Sequence, residues 1–390
     1  MGQVPATLVA GSSSASPLLS AVLIARDEAK FLSGCLQSLS GIVDEVVVVD
    51  TGSVDETPEI ALRFGANLIH HPWRDDFAEA RNVSLDRAHG AWILYIDADE
   101  RLVGADRAAV ERLLVGAEEI AFRLLLRPRL DATPYREYRL WRNDPRIRFD
   151  GVIHEKVVPA IQRAAAADGR AIGVADLMLQ HLGYEGDQTR KHLRNLPLLR
   201  RQLEIEPGNL FAWNHLGRVL EALGEPEEAE HALLRAIETA RSSSPPDQTD
   251  RLACLSYGDL IRLRKARGAD TTDLLAEALS AFPRNCLLLL MQAQRLIDEK
   301  NYAAALEPLD QILSFDWASD TDDPPAYDAP IVGELPWSSK GLCLFRMKAY
   351  AEAAEAYAAA ARCAPENPSY PIKAELARAR GRKVATLAQP

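Results

Sequence analysis

A chain of 390 residues with 47% hydrophobic and 26% charged residues is long enough for two cores and too apolar to be disordered. Its net charge of −11 argues against nucleic acid as the main partner. Cys35, Cys254, Cys286, Cys343 and Cys363 are scattered without CxxC or metal-ligand spacing. That pattern excludes a disulfide or zinc scaffold and predicts a reducing, cytoplasmic compartment.

Residues 1–17 are small and polar, without the basic start and apolar stretch of a secretory signal, so a loose tail is expected. Met1-Gly2 opens like a myristoylation site, but Ala6 stands where Ser or Thr is wanted. No apolar run approaches the ~20 residues of a membrane helix, so no membrane span is expected.

From Leu19 to Glu100 short apolar runs alternate with amphipathic stretches, which predicts a parallel sheet covered by helices. Strands are expected at Ala21–Ala25, Glu45–Val49, Ala66–Ile69 and Trp92–Ile96. Phe31, Leu32, Cys35, Leu36 and Leu39 recur at helical spacing between the first two. A second helix is expected to start at the capping box Ser53-Val54-Asp55-Glu56 and stop at Gly65, and a third to run from about Asp76 to Ala88. Ligands of open α/β sheets lie beyond the carboxyl ends of the strands, where Asp27, Asp50, Asp97 and Asp99 all fall.

From Ala121 to Tyr184 shorter strands are expected (Phe122–Leu126, Tyr138–Trp141, Val152–Val157, Leu177–Gln180), extending the same domain as hairpins. A charged helix, Asp187 to Glu206, follows. Beyond it, Trp213-x-x-Leu216-Gly217 with Ala229 and Ala236, and Trp337-x-x-x-Gly341 with Tyr350, Ala354, Tyr357 and Pro365, match the tetratricopeptide template. Weaker copies lie around Tyr257-Gly258 and Ala293 to Ala305. About four repeats are expected, with Pro371 to Arg382 as a cap and Arg241–Asp250 and Ser319–Leu335 as loops. The expected division is a tail at 1–17, an α/β domain at 18–186, a linker helix at 187–206 and a repeat domain at 207–383.

Three constellations carry chemistry. Ile93 to Glu100 is a buried strand ending in Asp97-Ala98-Asp99, a DXD motif. Alternation points both carboxylates to one side if the strand geometry persists. Hard oxygens beside phosphate suit Mg2+ or Mn2+. Val46 to Ser53 runs a strand into a Gly-containing turn, so Asp50 is placed to accept from a base N–H or a ribose hydroxyl, with Ser53 as contact or cap. Arg81, early on the third helix, presents a fork that suits a phosphate or the acidic cluster itself.

Val22-Leu23-Ile24-Ala25-Arg26-Asp27-Glu28, Val49 to Thr57, Ala80-Arg81-Asn82 and Asp97 to Glu100 together resemble the inverting family 2 glycosyltransferases. The likeness is strongest to the bacterial branch of lipopolysaccharide-core glucosyltransferases and bacteriocin S-glycosyltransferases, and it covers about Pro17 to Tyr184. One departure is Asp27, where that family usually has Asn. The resemblance implies a GT-A fold and a donor, commonly a UDP-sugar, held by Ala25, Asp27, Glu28, Asp50, Ser53, Arg81, Asp97 and Ala98. It implies Mn2+ or Mg2+ on Asp97, Asp99 and His181, and Glu155 of Gly151-Val152-Ile153-His154-Glu155 as general base. The acceptor is left open between a peptide or protein, a glycan and a lipopolysaccharide-type molecule, and the repeats, as a concave surface, are suited to present or recognise it or to bind a partner protein.

Rival readings remain at this point. A repeat scaffold with a degenerate sugar-nucleotide domain would bind no nucleotide diphosphate. A nucleotidyltransferase would carry a Gly-rich phosphate loop after the first strand, and a dinucleotide enzyme a GxGxxG; both are absent.

Overall fold

The computed structural model describes residues 16–128, 132–183, 189–242, 249–315 and 327–387. The expected tail and the Met1-Gly2 reading lie outside them but for residues 16 and 17. The chain divides into two compact units, one of residues 1–130 and 134–212, the other of 131–133 and 213–390.

The first unit contains strands β1 (Leu19–Ala25), β2 (Glu45–Asp50), β3 (Asn67–His70), β4 (Trp92–Tyr95), β5 (Glu100–Val103), β6 (Ala121–Arg127), β7 (Tyr135–Arg142) and β8 (Ile172–His181). They form one sheet in the order β3-β2-β1-β4-β7-β6-β8-β5. β3, β2, β1 and β4 are mutually parallel, and β7 joins β4 antiparallel. The helices are α1 (Ala29–Leu39), α2 (Thr57–Arg63), α3 (Phe77–Asp86), α4 (Arg107–Leu114), α5 (Val158–Asp168) and α6 (Thr189–Ile205).

Strand alternation feeds two cores. Ala21, Leu23 and Ala25 with Val46, Val48, Trp92 and Leu94 pack against Leu32, Leu36 and Leu39 of α1. Val22, Val47 and Ile93 point the other way, onto Ala78 and Leu85 of α3 and Ile161 and Ala164 of α5. Covering on both faces explains why β1 and β2 read as unbroken apolar runs.

Several expectations are corrected. α2 starts at Thr57 rather than at Ser53, and its first turn has no side-chain cap. Val152–Val157 is no strand: Gly151 (φ +103°) and His154 (φ +53°) are left-handed, which breaks strand pairing and leaves only the Asp150–Lys156 bridge. Its β-branched residues Val152, Ile153 and Val157 are buried without strand pairing, Val157 in the core with α3 and α5. α4, α5 and β5 were not anticipated. α6, expected as a linker, belongs with the first unit, burying Leu198, Leu199, Gln202 and Leu203.

The second unit takes in α7 (Leu210–Ala222) from Trp213 onward, α8 (Pro226–Ser242), α9 (Thr249–Ala266), α10 (Thr272–Ala281), α11 (Cys286–Asp298) and α12 (Tyr302–Leu313). It continues with α13 (Ala329–Val332), α14 (Glu334–Arg346), α15 (Tyr350–Cys363) and α16 (Ser369–Leu387). The template glycines explain the pairing. A Cβ on Gly217 would lie 2.7 Å from Leu233, and one on Gly341 would lie 2.8 Å from the Tyr357 ring, so each glycine lets two helices close. The stretch 319–335 lies partly outside the described residues; α13 and the start of α14 fall within the rest of it, against the expected loop. Arg241 closes α8 rather than opening a loop, and most of 242–250 is not described.

Candidate functional site

The parallel strands β1, β2 and β4 bring their carboxyl ends to one edge, and the loops that follow interlock there. Asp27 is left-handed at φ +56° and Gly52 at φ +106°, turning the chain back over the strand ends. The Asp27 amide donates to Ser53 Oγ at 3.0 Å, and the Val54 amide donates to Asp27 Oδ1 at 2.8 Å. Ser53 therefore braces the neighbouring loop instead of capping α2. The Ser53 amide donates to Asp50 Oδ1 at 3.0 Å, and His70 Nδ1 lies 3.1 Å from Asp50 Oδ2. Glu28 is anchored by its own amide, which donates to Thr57 Oγ1 at 2.8 Å. The Ala25 carbonyl accepts from the Thr51 amide at 3.0 Å. Ala25, Asp27, Glu28, Asp50 and Ser53 thus form one cluster.

At the end of β4 the strand stops short. The Glu100 amide donates to the Asp97 carbonyl at 3.0 Å, and the Asp97 amide donates to Glu100 Oε2 at 2.8 Å. This turn, with Ala98 buried in it, replaces the expected alternation and parts the two aspartates. Asp97 Oδ1 takes Arg81 Nη2 at 2.9 Å, while Asp99 Oδ2 lies 3.3 Å from His181 Nε2 at the end of β8.

Arg81 is buried on α3, its Nε on Glu155 and its guanidinium 4.3 Å from the centre of the Tyr95 ring. Of the fork's two expected partners, the structure supplies the acidic one. Asn82 holds the segment leading to Glu155, exchanging bonds of 3.0 and 2.9 Å with the Phe149 backbone. Gln202 Oε1 accepts from the Val152 amide at 2.9 Å. Desolvation opposes the charge on Asp97, yet Arg81 and Arg139 hold its carboxyl below the usual range.

The sequence reading missed Arg139, Glu100 and Tyr95. Arg139 of β7 grips Glu100 with both terminal nitrogens at 3.1 and 2.9 Å, reaches Glu137 through Nε at 2.9 Å, and also lies 4.3 Å from the Tyr95 ring centre. The available signal was the alternation Glu137, Arg139, Trp141 on a strand whose alternate residues turn inward, charges a solvated face would not need.

Among the described residues no three His, Cys, Asp or Glu side chains converge as a metal group. Asp99 and His181 are a pair that meets, and the carboxylate oxygen is the donor that suits Mn2+ or Mg2+, with substrate oxygens completing the shell. Desolvation lowers the basicity of His181, but the Asp99 contact and the nearby Glu100 and Asp97 outweigh it. Glu28 is pushed up to about 7 by burial, then by Asp99.

Residues 20–106 match the Glycosyl transferase family 2 profile, and residues 212–243 and 337–368 match tetratricopeptide repeats. A TPR repeat-containing protein of Synechococcus elongatus is 34% identical over 257 residues, 63% of this chain and 62% of its own. The SPbeta prophage-derived glycosyltransferase SunS of Bacillus subtilis is 27% identical over 241 residues, 59% of this chain and 56% of its own. The lipopolysaccharide core biosynthesis glycosyltransferase LpsC of Rhizobium meliloti is 32% identical over 156 residues, 36% of this chain and 57% of its own. The chain therefore spans under two thirds of the length of each relative. No described helix is long and apolar enough to cross a membrane. Strand-end acids in the expected order and a matching profile agree: residues 20–106 are a family 2 glycosyltransferase domain of GT-A-like fold, and tetratricopeptide repeats follow it.

Proposed function

We propose that the chain transfers a sugar, with inversion, from a nucleotide-diphosphate donor of the UDP-sugar type to a peptide, protein or glycan acceptor. The observation that carries this reading is the gathering of Asp50, Asp97, Asp99 and His181 at one edge of the sheet, within or beside the matched family domain. Asp50, fixed by Ser53 and His70, keeps lone pairs for a base N–H. Asp97 stands at the ribose side. Asp99 and His181 would hold Mn2+ or Mg2+, which supplies charge stabilisation to the departing diphosphate. Glu155 takes the acceptor proton, and its place is set by Arg81, Asn82 and the loop over Gln202. The name of LpsC supports a lipopolysaccharide-type acceptor, and the repeats, which build an extended surface in other proteins, are the part suited to select a peptide, protein or glycan.

A donor-hydrolysis screen across nucleotide sugars, with and without Mn2+, tests the reading. Metal-stimulated release of the nucleoside diphosphate from one donor supports it. If the purified chain binds no nucleoside diphosphate in Mn2+, a scaffold with a degenerate domain takes its place.

A further inference from the structure

A departing nucleoside diphosphate carries more negative charge than one divalent cation offsets, so its oxygens require further cations. Arg81 and Arg139 are not available to it. Arg81 is buried between Asp97 and Glu155, and Arg139 is spent on Glu100 and Glu137. Freeing either would strand a buried carboxylate.

Other cations reach the same edge from α6. Arg190 Nη2 lies 3.5 Å from Asp27 Oδ2. Lys191 Nζ donates to the Gly183 carbonyl at 3.2 Å, and Gly183 is packed directly on Asp99. The Arg194 guanidinium lies 5.4 Å from the Phe77 ring centre at the start of α3. Positions 190, 191 and 194 share one side of the first turns of a helix, and all three are exposed. Arg194 Nε also donates to Asn195 Oδ1 at 3.1 Å; contacts of this kind at exposed positions are worth little and are easily exchanged for a ligand. Desolvation holds Arg194 below its usual value; Glu28 pulls it up, while Arg26 and Arg190 push it down.

We infer that Arg190, Lys191 and Arg194 form a diphosphate-binding face that receives the pyrophosphate of the donor beside the Asp99–His181 pair. The identity of the donor rests on the function proposed above; the anion face does not. α6 is then part of the donor site rather than a connection between units.

The test is calorimetric, on the full chain with Mn2+, using UDP, uridine and inorganic pyrophosphate as probes. Lys191→Ala and Arg194→Ala are each expected to weaken UDP and pyrophosphate by about tenfold, and the double variant further. Uridine affinity and melting temperature should not change, and Lys191→Arg should restore most of the loss. Wild-type UDP and pyrophosphate affinity in the folded double variant would overturn the face while leaving the nucleotide-sugar reading intact. A chain that binds pyrophosphate through these residues but not UDP would keep the face and overturn the donor. Binding of neither probe by the wild type would overturn both.

Discussion

Gly183 presses on Asp99: a Cβ added at Gly183 would overlap Asp99 Oδ2. Since Asp99 also sits 3.3 Å from His181, the glycine fixes where the proposed metal pair meets. Gly183→Ala must displace the carboxylate. It should raise the Mn2+ concentration for half-maximal donor hydrolysis by about tenfold, about 1.4 kcal/mol, with little change in stability. Asp99→Ala should abolish metal stimulation in a folded protein. A metal titration of both variants checks this, and a wild-type curve for Gly183→Ala would refute it.

Glu155 has two possible uses, as proton acceptor and as brace for Arg81. Glu155→Gln removes the first and keeps a hydrogen-bonding oxygen for the second. Sugar transfer should fall by about 100-fold or more while UDP affinity stays at the wild-type level. Parallel loss of UDP affinity would reduce Glu155 to the bracing role.

Arg139 and Glu100 are a buried, bidentate pair. Arg139→Leu leaves Glu100 without its cation, and Asp97 without one of two. A stability loss of about 3–5 kcal/mol is expected, read as a lowered urea midpoint. Arg139→Leu with Glu100→Gln should recover part of it, because the uncompensated charge is gone.

Glu28 carries a pH signature. Its carboxyl is pushed from 4.5 up to about 7 by burial, then by Asp99, so the native state binds a proton that the unfolded chain has released. The resulting stabilisation is fully present below the unfolded value near 4.5 and is lost as pH rises through about 7. Melting temperature should decline across that window in the wild type, and Glu28→Gln should flatten the decline.

Gly341 tests the separate work of the repeats. Gly341→Val drives a side chain into the Tyr357 ring, where even a Cβ would come within 2.8 Å, and should cost about 1–3 kcal/mol through overpacking. Every proposed donor contact lies in the first unit. Donor hydrolysis should therefore persist while transfer to the acceptor falls; equal loss of both would deny the second unit a role in acceptor choice.

The strand ends were legible because parallel strands buried on both faces leave long apolar runs that finish at Asp50 and Asp97. The repeats were legible because Gly217 and Gly341 answer a packing need that recurs. What escaped was set by distant partners. Ser53 looks like a helix cap in isolation and becomes a brace only when Asp27 folds over it. β5 opens on Glu100 directly after Asp97-Ala98-Asp99, and its four residues are too few to read as a strand until β8 supplies their pairing. Glu155 sits in a stretch that local pattern reads as a strand, whereas its turn geometry depends on Asn82 and Gln202.

Along the chain β4 and β5 are separated only by residues 96–99, yet β7, β6 and β8 stand between them in the sheet. The turn therefore closes a ring, clamped at both ends by the same hydrogen-bonded fabric. Its amides are engaged as well: Ile96 donates to the Val22 carbonyl, Asp97 to the Glu100 carboxylate and Glu100 to the Asp97 carbonyl, while the Asp99 carbonyl accepts from Leu182. Surface turns ordinarily exchange their amide protons within the fastest class of a protein. The Ile96 amide, bonded to the Val22 carbonyl of β1, should instead exchange on the timescale of the central strands, because no local opening frees it without parting β4 from β1.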